Sequence, residues 1–258
     1  MDLGIRGKVA LVTASSAGMG RNIANALAAE GVNVVLFARS ADKLHAVAAE
    51  IEDRHGVRAL PVCGDMLSSE DVERLRASVQ QAFGGLDILV LNTGRAPNPL
   101  RATLEETEEG RWHEAYNNQL WSAIQVAKTL LPLMLGRGWG RVVAITSASV
   151  KSPMPHHALS TVFRAGMTAY IKHLANELGA EGITANCVAP ALIDTSHRVG
   201  GAAYTTAQTE ARKRLTPLGR MGAQEEVTGT VAFLASRQAG FITGSTVLVE
   251  GGMVGALI

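Results

Sequence analysis

The sequence has no excess of charge of either sign. Its 258 residues carry a formal net charge of +1, and basic and acidic side chains are mixed along the whole chain. Nucleic acids and anionic membrane surfaces attract proteins through concentrated positive charge. We therefore expect no nucleic acid and no membrane as partner, and a small molecule as substrate.

Long hydrophobic runs are also missing, and cysteine is scarce. No apolar stretch approaches the roughly 20 residues that cross a bilayer, and charged residues lead straight into a predicted strand, so we expect a soluble, unprocessed chain. The two cysteines, Cys63 and Cys187, lie inside apolar runs, where a lone thiol usually packs as a small core side chain. This pattern fits a reducing compartment, so we predict a cytoplasmic location. We also expect no metal site.

What the sequence does contain is a regular alternation of short β-branched runs and longer helical patterns. Such alternation indicates βαβ units, in which a parallel sheet is covered on both faces. The predicted strands span residues 9–12, 32–37, 59–63, 86–91, 142–146, 184–188 and 246–249. The predicted helices span residues 19–30, 41–55, 69–83, 106–135, 157–178 and 225–235. Together they predict one α/β domain over residues 1–258, a doubly wound sheet of about seven strands of the Rossmann type.

Two further features concern the connections between these elements. Glycine follows four predicted helices, at positions where a left-handed C-terminal cap favours it: Gly31, Gly56, Gly84 and Gly179. The least regular stretch, residues 190–217, is rich in Gly, Ala and Thr and is interpreted as a mobile flap over a site.

A glycine-containing turn joins the first strand to the first helix. Glycines at this junction let the backbone approach a pyrophosphate, and the helix N-terminus offers free N–H groups and a positive dipole. The glycines alone are weak evidence, because tight strand-to-helix turns also use glycine for structural reasons. The turn reads Thr13-Ala14-Ser15-Ser16-Ala17-Gly18-Met19-Gly20.

Motifs on the N-terminal half resemble those of the short-chain dehydrogenase/reductase family. The turn at 13–20 resembles the family's T-G-x-x-x-G-x-G motif, with Ala14 in place of the first glycine. Residues 91–94 read Leu-Asn-Thr-Gly and are similar to the N-N-A-G segment after the fourth strand.

Two C-terminal segments continue the resemblance in the family's order. Residues 186–195 resemble N-x-x-x-P-G-x-I-x-T, with Ala191 replacing glycine, and residues 244–252 resemble G-x-x-x-x-V-D-G-G, with Glu250 for aspartate. The similarity extends over about residues 7–252 and is of the kind seen in 3-oxoacyl-(acyl carrier protein) reductase-like members. Four ordered matches are much more specific than one glycine-rich turn.

The resemblance implies a nicotinamide dinucleotide cofactor and a set of residues around it. Carried over position by position, the set is Ser15, Ser16, Gly18, Met19, Gly20, Arg39, Asp65, Met66, Asn92, Gly94, Arg164, Pro190, Ile193 and Thr195. Asp65 matches the family's adenine-contacting aspartate, although it could equally cap the following turn.

The end of the second strand favours NADP(H) over NAD(H). An NAD site places a carboxylate there for the ribose hydroxyls, whereas a 2′-phosphate requires a cation and no repelling acid. Ala38 and Arg39 fit the phosphate. The alternative is that Arg39 is a solvated surface side chain, and Ala17 lacks the second basic residue of many NADP-binding relatives.

The catalytic positions depart from the family, which uses a Ser, a Tyr, a Lys and an Asn. Ser147 matches the Ser, but Ser160 stands at the Tyr position and Arg164 at the Lys position, four residues apart on one predicted helix face. Gln119 stands at the Asn position, with Asn118 as the alternative if the helix is shifted by one residue. The resemblance therefore implies an altered catalytic centre that lacks the Tyr-x-x-x-Lys pair.

These replacements change which proton transfers are possible. The Ser160 hydroxyl is a poorer donor than a phenol and shorter by about 4 Å, and Arg164 can anchor an anion or a ribose but cannot relay a proton. The loop between Ser147 and Ser160 offers three substitute donors, Lys151, His156 and His157, with Lys151 ranked first because it is closest to the strand end. They could also be solvated loop residues.

Three functions remain open from the sequence. The leading hypothesis is an NADP(H)-dependent oxidoreductase that interconverts a ketone and a secondary alcohol. The alternatives are a non-redox enzyme on the same fold, such as a lyase, isomerase or dehalogenase, and a catalytically silent dinucleotide-binding protein. The resemblance also implies a homotetramer built on the long helices at 106–135 and 157–178.

Overall fold

The computed structural model describes residues 2–194 and 205–255, which form a seven-stranded parallel sheet with helices on both faces. The strands lie in the order β3-β2-β1-β4-β5-β6-β7, and each neighbouring pair is parallel. They are β1 (Val9–Thr13), β2 (Asn33–Ala38), β3 (Ala59–Cys63), β4 (Ile88–Leu91), β5 (Gly140–Ile145), β6 (Ile183–Pro190) and β7 (Thr246–Val249). The doubly wound α/β sheet predicted from the sequence is confirmed.

The central strands are apolar on both faces because both faces are covered. Every residue of β1, β4 and β5 is buried, as expected for parallel strands between helical layers. Successive side chains point to opposite faces, so Val12 packs in the core under α1 and α2, and Leu11 packs in the core under α3 and α5. Pro61, which cannot donate a backbone hydrogen bond, lies in β3 at the sheet edge.

The helices follow the prediction closely at α2 and α3, and differ from it in two places. In the described ranges they are α1 (Gly18–Ala29), α2 (Ala41–His55), α3 (Ser69–Phe83), α4 (Glu109–Tyr116), α5 (Ser122–Leu130), α6 (Ala158–Leu178), α7 (Thr206–Lys213) and α8 (Gln224–Leu234). The helix predicted at 106–135 starts three residues later, and a π-helical turn at Asn117–Trp121 divides it. Helix α7 was not predicted, because it lies within the stretch at 190–217 that was interpreted as irregular.

The glycine caps are confirmed at three of four positions. Gly31, Gly56 and Gly84 have φ angles of 80°, 65° and 71°, the left-handed conformation that ends a helix with least strain in glycine. The prediction for Gly179 is wrong: its φ is −58°. The chain there continues into a 3₁₀ turn, and the left-handed residue is Gly182, with φ 72°.

The two cysteines have different environments. Cys187 is buried in β6, which confirms the prediction, and burial raises the pKa of its thiol to about 12. Cys63 was predicted to be buried and is exposed. It is the last residue of the edge strand β3, where its Sγ contacts the Arg39 carbonyl oxygen at 3.3 Å.

The topology places a crevice at one end of the sheet. Strand β1 pairs with β2 on one side and with β4 on the other, and open α/β sheets bind ligands outside the carboxyl ends of the strands at such a switch point.

Among the residues described, no helix has both the length and the apolar character that a membrane crossing requires. Within those same ranges, no group of three or more His, Cys, Asp or Glu side chains is arranged so that it could hold a metal ion.

Candidate functional site

A cleft runs along the carboxyl ends of the strands in three adjoining compartments. The β2-side compartment, about 570 Å³, is lined by residues that include Arg39 and Asp65. The middle compartment, about 640 Å³, lies over the glycine turn, and the β5-side compartment, about 650 Å³, contains Ser147. Ala14, Ala17 and Gly94 line the first two, and Arg95, Arg164 and Arg212 are among the residues that line the last two. The shared lining shows that one continuous ligand could contact all three.

The glycine turn brings backbone close to backbone. Gly18 has a φ of 56° with open space around it, whereas a Cβ on Gly20 would overlap the Ala14 carbonyl oxygen and lie 2.8 Å from Asn92 Nδ2. Ala14, which the resemblance aligned with the first glycine of the motif, has a left-handed φ of 49°. The turn has therefore retained a glycine-like path despite the alanine.

The N-terminus of α1 is open toward the cleft. Its N-cap, Ala17, supplies no side-chain acceptor, and the first turn contains no acidic residue. By contrast, Ser68 caps α3 by accepting a hydrogen bond from the Asp71 N–H. Unsatisfied N–H groups with the positive end of a helix dipole form an anion-binding site, so α1 presents such a site to the middle compartment.

The residues of the turn have different environments. Ser16 lines the β2-side compartment, and Gly18 and Met19 line the middle one. Ser15 is fully buried, and its Oγ accepts a hydrogen bond from the Phe37 N–H at 3.0 Å. It therefore supports the turn from below through its side chain.

A hydrogen-bonded link joins β1 to β4 across the switch point. The Thr13 hydroxyl donates to the Asn92 carbonyl oxygen at 2.6 Å and accepts from the Asn92 N–H at 2.9 Å. Asn92 and Gly94 then line the middle compartment, together with Pro190 and Ile193 from the end of β6 and beyond. Thr195, the remaining residue of the predicted cofactor set, lies outside the described residues.

The β2-side compartment contains both the cation and the acid that the sequence indicated. The exposed side chain of Arg39 lines it next to Ala38, and Met66 also lines it. Asp65 lines the same compartment while its Oδ1 accepts a hydrogen bond from the Leu67 N–H at 2.9 Å. The capping role of Asp65 is therefore present, and its position on the cleft also allows a ligand contact.

Arg164 joins the ends of β4 and β5 from α6. Its Nη1 donates to Thr93 Oγ1 at 2.8 Å and to the Ile145 carbonyl oxygen at 2.7 Å, and its Nη2 donates to the Gly94 carbonyl oxygen at 2.8 Å. Burial, with a smaller contribution from the charge of Arg95, lowers the pKa of Arg164 to about 10. The guanidinium is therefore charged at neutral pH although only 8% of the residue is exposed.

Ser147 is held with its own hydroxyl hydrogen available. Its Oγ accepts from the Ser149 N–H at 3.2 Å and from the Ser149 hydroxyl at 3.0 Å. Because a hydroxyl oxygen has two acceptor positions and one donor, these contacts leave the Ser147 O–H free to donate into the cleft. Ser160 lines the same compartment from α6.

The two amide candidates on the π-helical turn line different compartments. Gln119 is fully buried and lines the β5-side compartment, and its Oε1 has no hydrogen-bond partner in the described part of the chain. Asn118 lines the β2-side compartment instead. A π turn inserts one extra residue into the helix, so the alignment by counting could not separate these positions.

Only one of the three loop candidates for proton donor lines the cleft. Lys151, ranked first from the sequence, is exposed and lines a separate pocket with Lys172 and Thr246. The 3₁₀ turn at Ala148–Val150 carries the chain away from the strand end, so proximity in sequence was misleading. His156 is exposed, and His157 lines the β5-side compartment, with Nδ1 2.7 Å from the Pro155 carbonyl oxygen.

Sequence reasoning missed four residues of the site: Thr93, Arg95, Ser149 and Arg212. Arg95 could have been noticed, since it directly follows the Asn-Thr-Gly segment at the end of β4. Arg212 reaches the cleft on the unpredicted helix α7. Thr93 and Ser149 contribute contacts to Arg164 and Ser147 that carry no signal in the sequence.

Comparison with known proteins gives one consistent result over nearly the full chain. Residues 13–254 match the sequence profile of the family described as enoyl-(acyl carrier protein) reductase. The 3-oxoacyl-(acyl-carrier-protein) reductase FabG of Aquifex aeolicus is 34% identical over 253 residues, covering 98% of this chain and all of the relative. The human dehydrogenase/reductase SDR family member 4 is 34% identical over 245 residues, covering 95% of this chain and 87% of the relative.

A solved structure has the same fold over its whole length. It is L-sorbose reductase from Gluconobacter frateurii, determined in complex with NADPH and L-sorbose. Its sequence is 32% identical, the alignment covers 100% of both chains, and the TM-score is 0.87.

Proposed function

Because the chain belongs to the short-chain dehydrogenase/reductase family, we propose that it is an NADP(H)-dependent oxidoreductase that interconverts a ketone and a secondary alcohol. The observation that carries this proposal is the continuity of the cleft. It extends from the open N-terminus of α1 to the Ser147 hydroxyl without a break in its lining. A dinucleotide and a substrate therefore fit end to end.

The residues present suit the cofactor. The uncapped N–H groups of α1 suit a pyrophosphate, and Gly20 leaves room beside the Ala14 carbonyl that a Cβ would fill. Met19, Asn92, Gly94, Pro190 and Ile193 would hold its nicotinamide half, and Ser16, Asp65 and Met66 its adenosine half. When bound, the cofactor supplies or accepts the hydride.

The preference for NADP(H) rests on Arg39. Its side chain stands at the end of β2 beside Ala38, where an NAD site would place a carboxylate. A guanidinium offers paired donors that match a phosphate group. The complex of L-sorbose reductase with NADPH is consistent with this choice.

The chain's own residues then have separate roles in ketone reduction, which adds a hydride to the carbonyl carbon and a proton to its oxygen. The Ser147 hydroxyl donates a hydrogen bond to that oxygen, and Ser149 fixes its direction. Ser160 leaves space in place of the family's tyrosine, and Gln119 offers an amide oxygen that has no hydrogen-bond partner among the described residues. Arg164 anchors without relaying a proton.

His157 is the proton donor we infer from its position. A carbonyl oxygen only accepts, so the contact with Pro155 requires a hydrogen on His157 Nδ1. The other nitrogen, Nε2, carries a hydrogen only in the imidazolium form. Protonated His157 can thus release a proton from Nε2 and keep its Nδ1 hydrogen bond to Pro155.

The homotetramer implied by the family resemblance is part of the same proposal. It is supported by apolar side chains left exposed on the long helices, namely Tyr116, Trp121 and Val162. Tyr116 and Trp121 stack on each other with ring centroids 6.3 Å apart.

Fluorescence titration with NADPH and NADH, followed by assays of NADPH oxidation with activated ketones, tests the function. We expect tighter binding of NADPH, and Arg39→Ala should weaken it roughly 10- to 100-fold, the value of a charge-assisted contact of about 1.5–3 kcal/mol, while changing NADH binding little. Arg76→Ala, an exposed arginine on α3, is the matched control. Equal or tighter NADH binding by the unmodified protein contradicts the cofactor assignment, and cofactor binding without any hydride transfer contradicts the reaction.

A further inference from the structure

The β5-side compartment contains a buried cation that has no carboxylate partner among the described residues. Within those residues, the hydrogen bonds of Arg164 go to the neutral oxygens of Thr93, Ile145 and Gly94, and no acidic side chain offsets its charge. A guanidinium has five N–H donors. Three are used by these contacts, which leaves Nε–H and one Nη2–H without an acceptor from the described residues.

Two more guanidinium groups lie on the same cleft. Arg95, from the end of β4, and Arg212, from α7, line both the middle and the β5-side compartments, as Arg164 does. The described residues that line these two compartments include no Asp and no Glu. A cleft lined by charge of one sign concentrates ligands of the opposite sign, so this end of the cleft favours an anion.

The β5-side compartment is the part of the cleft that distinguishes this anion from the cofactor's phosphates. The open N-terminus of α1 in the middle compartment and Arg39 in the β2-side compartment already provide for phosphate groups. Arg164 instead shares the β5-side compartment with Ser147 and Ser160. Apolar side chains such as Met154, Leu192 and Leu215 complete that compartment, so it suits a small organic anion with a carbon skeleton.

We propose that the substrate carries a carboxylate, which pairs with Arg164 and is drawn in by Arg95 and Arg212 while the carbonyl lies at Ser147. This inference rests on the proposed function for the presence of the carbonyl. The substrate class is therefore an oxo acid or the corresponding hydroxy acid. The Nε–H and the second Nη2–H of Arg164, which no described residue accepts, provide the paired donors that a carboxylate binds.

The test is calorimetric titration of the protein saturated with NADP⁺, a state in which no reduction occurs. The probes are pyruvate, acetoacetate and 4-oxopentanoate, each compared with its methyl ester, which keeps the ketone and removes the charge. We expect at least one acid to bind about tenfold or more tightly than its ester, and added sodium chloride to reduce the difference. Equal binding of acid and ester in all three pairs overturns the proposal.

Variants locate the charge that is responsible. Arg164→Met should abolish the preference for the acid and Arg164→Lys should keep part of it, while Arg76→Met on α3 is the matched control. If Arg164→Met does not fold, the exposed Arg95 and the helix residue Arg212 give the second test: Arg95→Met and Arg212→Met should each weaken acid binding and leave ester binding unchanged. A preference that survives all of these variants refutes the assignment.

Two outcomes separate this inference from the proposed function. If the acids bind only without NADP⁺ and are displaced by it, the arginines serve the cofactor's phosphates and the substrate proposal fails. If the acids are preferred but no ketone in the series oxidises NADPH, the anion site stands and the oxidoreductase proposal fails.

Discussion

The two ends of the cleft use different parts of the polypeptide. At the carboxyl ends of β1 and β4, the cleft is shaped mostly by backbone: the open N–H groups of α1, the backbone that closely approaches Gly20 and the left-handed backbone of Ala14. At the carboxyl ends of β5 and β6, the cleft is lined by side chains, among them Ser147, His157 and Arg164. The first end tolerates a change of residue type if the backbone path is kept, whereas the second changes its chemistry with each replaced side chain.

This difference bears on the catalytic centre that we propose to be altered. Ser160 and Arg164, which the sequence resemblance aligns with the family's Tyr and Lys, lie four residues apart on α6, and both line the β5-side compartment. The scaffold thus sets where the side chains stand, and their identity sets what they can do. Experiments that change one end at a time should show whether this division holds.

The largest effect is expected from the proposed proton donor. His157→Gln should reduce the rate of ketone reduction about 10²-fold or more, the usual contribution of a positioned general acid, with NADPH affinity preserved. Steady-state kinetics, with cofactor titrations alongside, measures the rate and the affinity.

Lys151→Met and His156→Gln are the matched controls, because both side chains are exposed outside the lining of the cleft. Their rates should stay within a few-fold of the unmodified enzyme. An unchanged rate in His157→Gln, or a large loss in Lys151→Met, would mean that the proton comes from elsewhere.

The sequence predicted the elements with local signals and missed those that depend on tertiary contacts. The bounds of α2, α3, β3 and β7 were predicted to the residue, since caps, periodicity and turn glycines all lie within each segment. The π turn at Asn117–Trp121 and the turn that removes Lys151 from the cleft have no such local signal. The convergence of Arg95, Arg164 and Arg212 also requires three separate elements to meet, so it became visible only in the structure.

A smaller effect is expected at the backbone-dominated end. Gly20→Ala places a methyl group against the Ala14 carbonyl and Asn92 Nδ2, and such overpacking typically costs about 1–3 kcal/mol. We expect NADPH affinity to fall roughly 10- to 100-fold and the melting temperature to drop by several degrees. Fluorescence titration and thermal melts report the two effects separately.

Gly18→Ala is the comparison within the same turn. A Cβ at Gly18 meets nothing within 4 Å, and its φ of 56° alone penalises alanine, by about 1 kcal/mol. Its losses should therefore be smaller than those of Gly20→Ala. If Gly18→Ala proves the more damaging of the two, close backbone approach is not what shapes this end of the cleft.

The smallest effect concerns the alanine that replaces the family's first glycine. Ala14 has a φ of 49°, a conformation that costs an L-residue about 1–2 kcal/mol, and Ala14→Gly removes that strain. Glycine also increases the entropy of the unfolded chain, which costs about 0.4–1 kcal/mol of stability, so the net gain should lie between about 0 and 1.6 kcal/mol, a rise of several degrees at most. Ala102→Gly, where φ is −62°, changes only the entropy and should lower the melting temperature slightly. The difference between the two melts measures the strain at Ala14. If both substitutions lower the melting temperature equally, the backbone at Ala14 is not strained. The alanine side chain then has no effect on stability beyond the entropy of the unfolded chain.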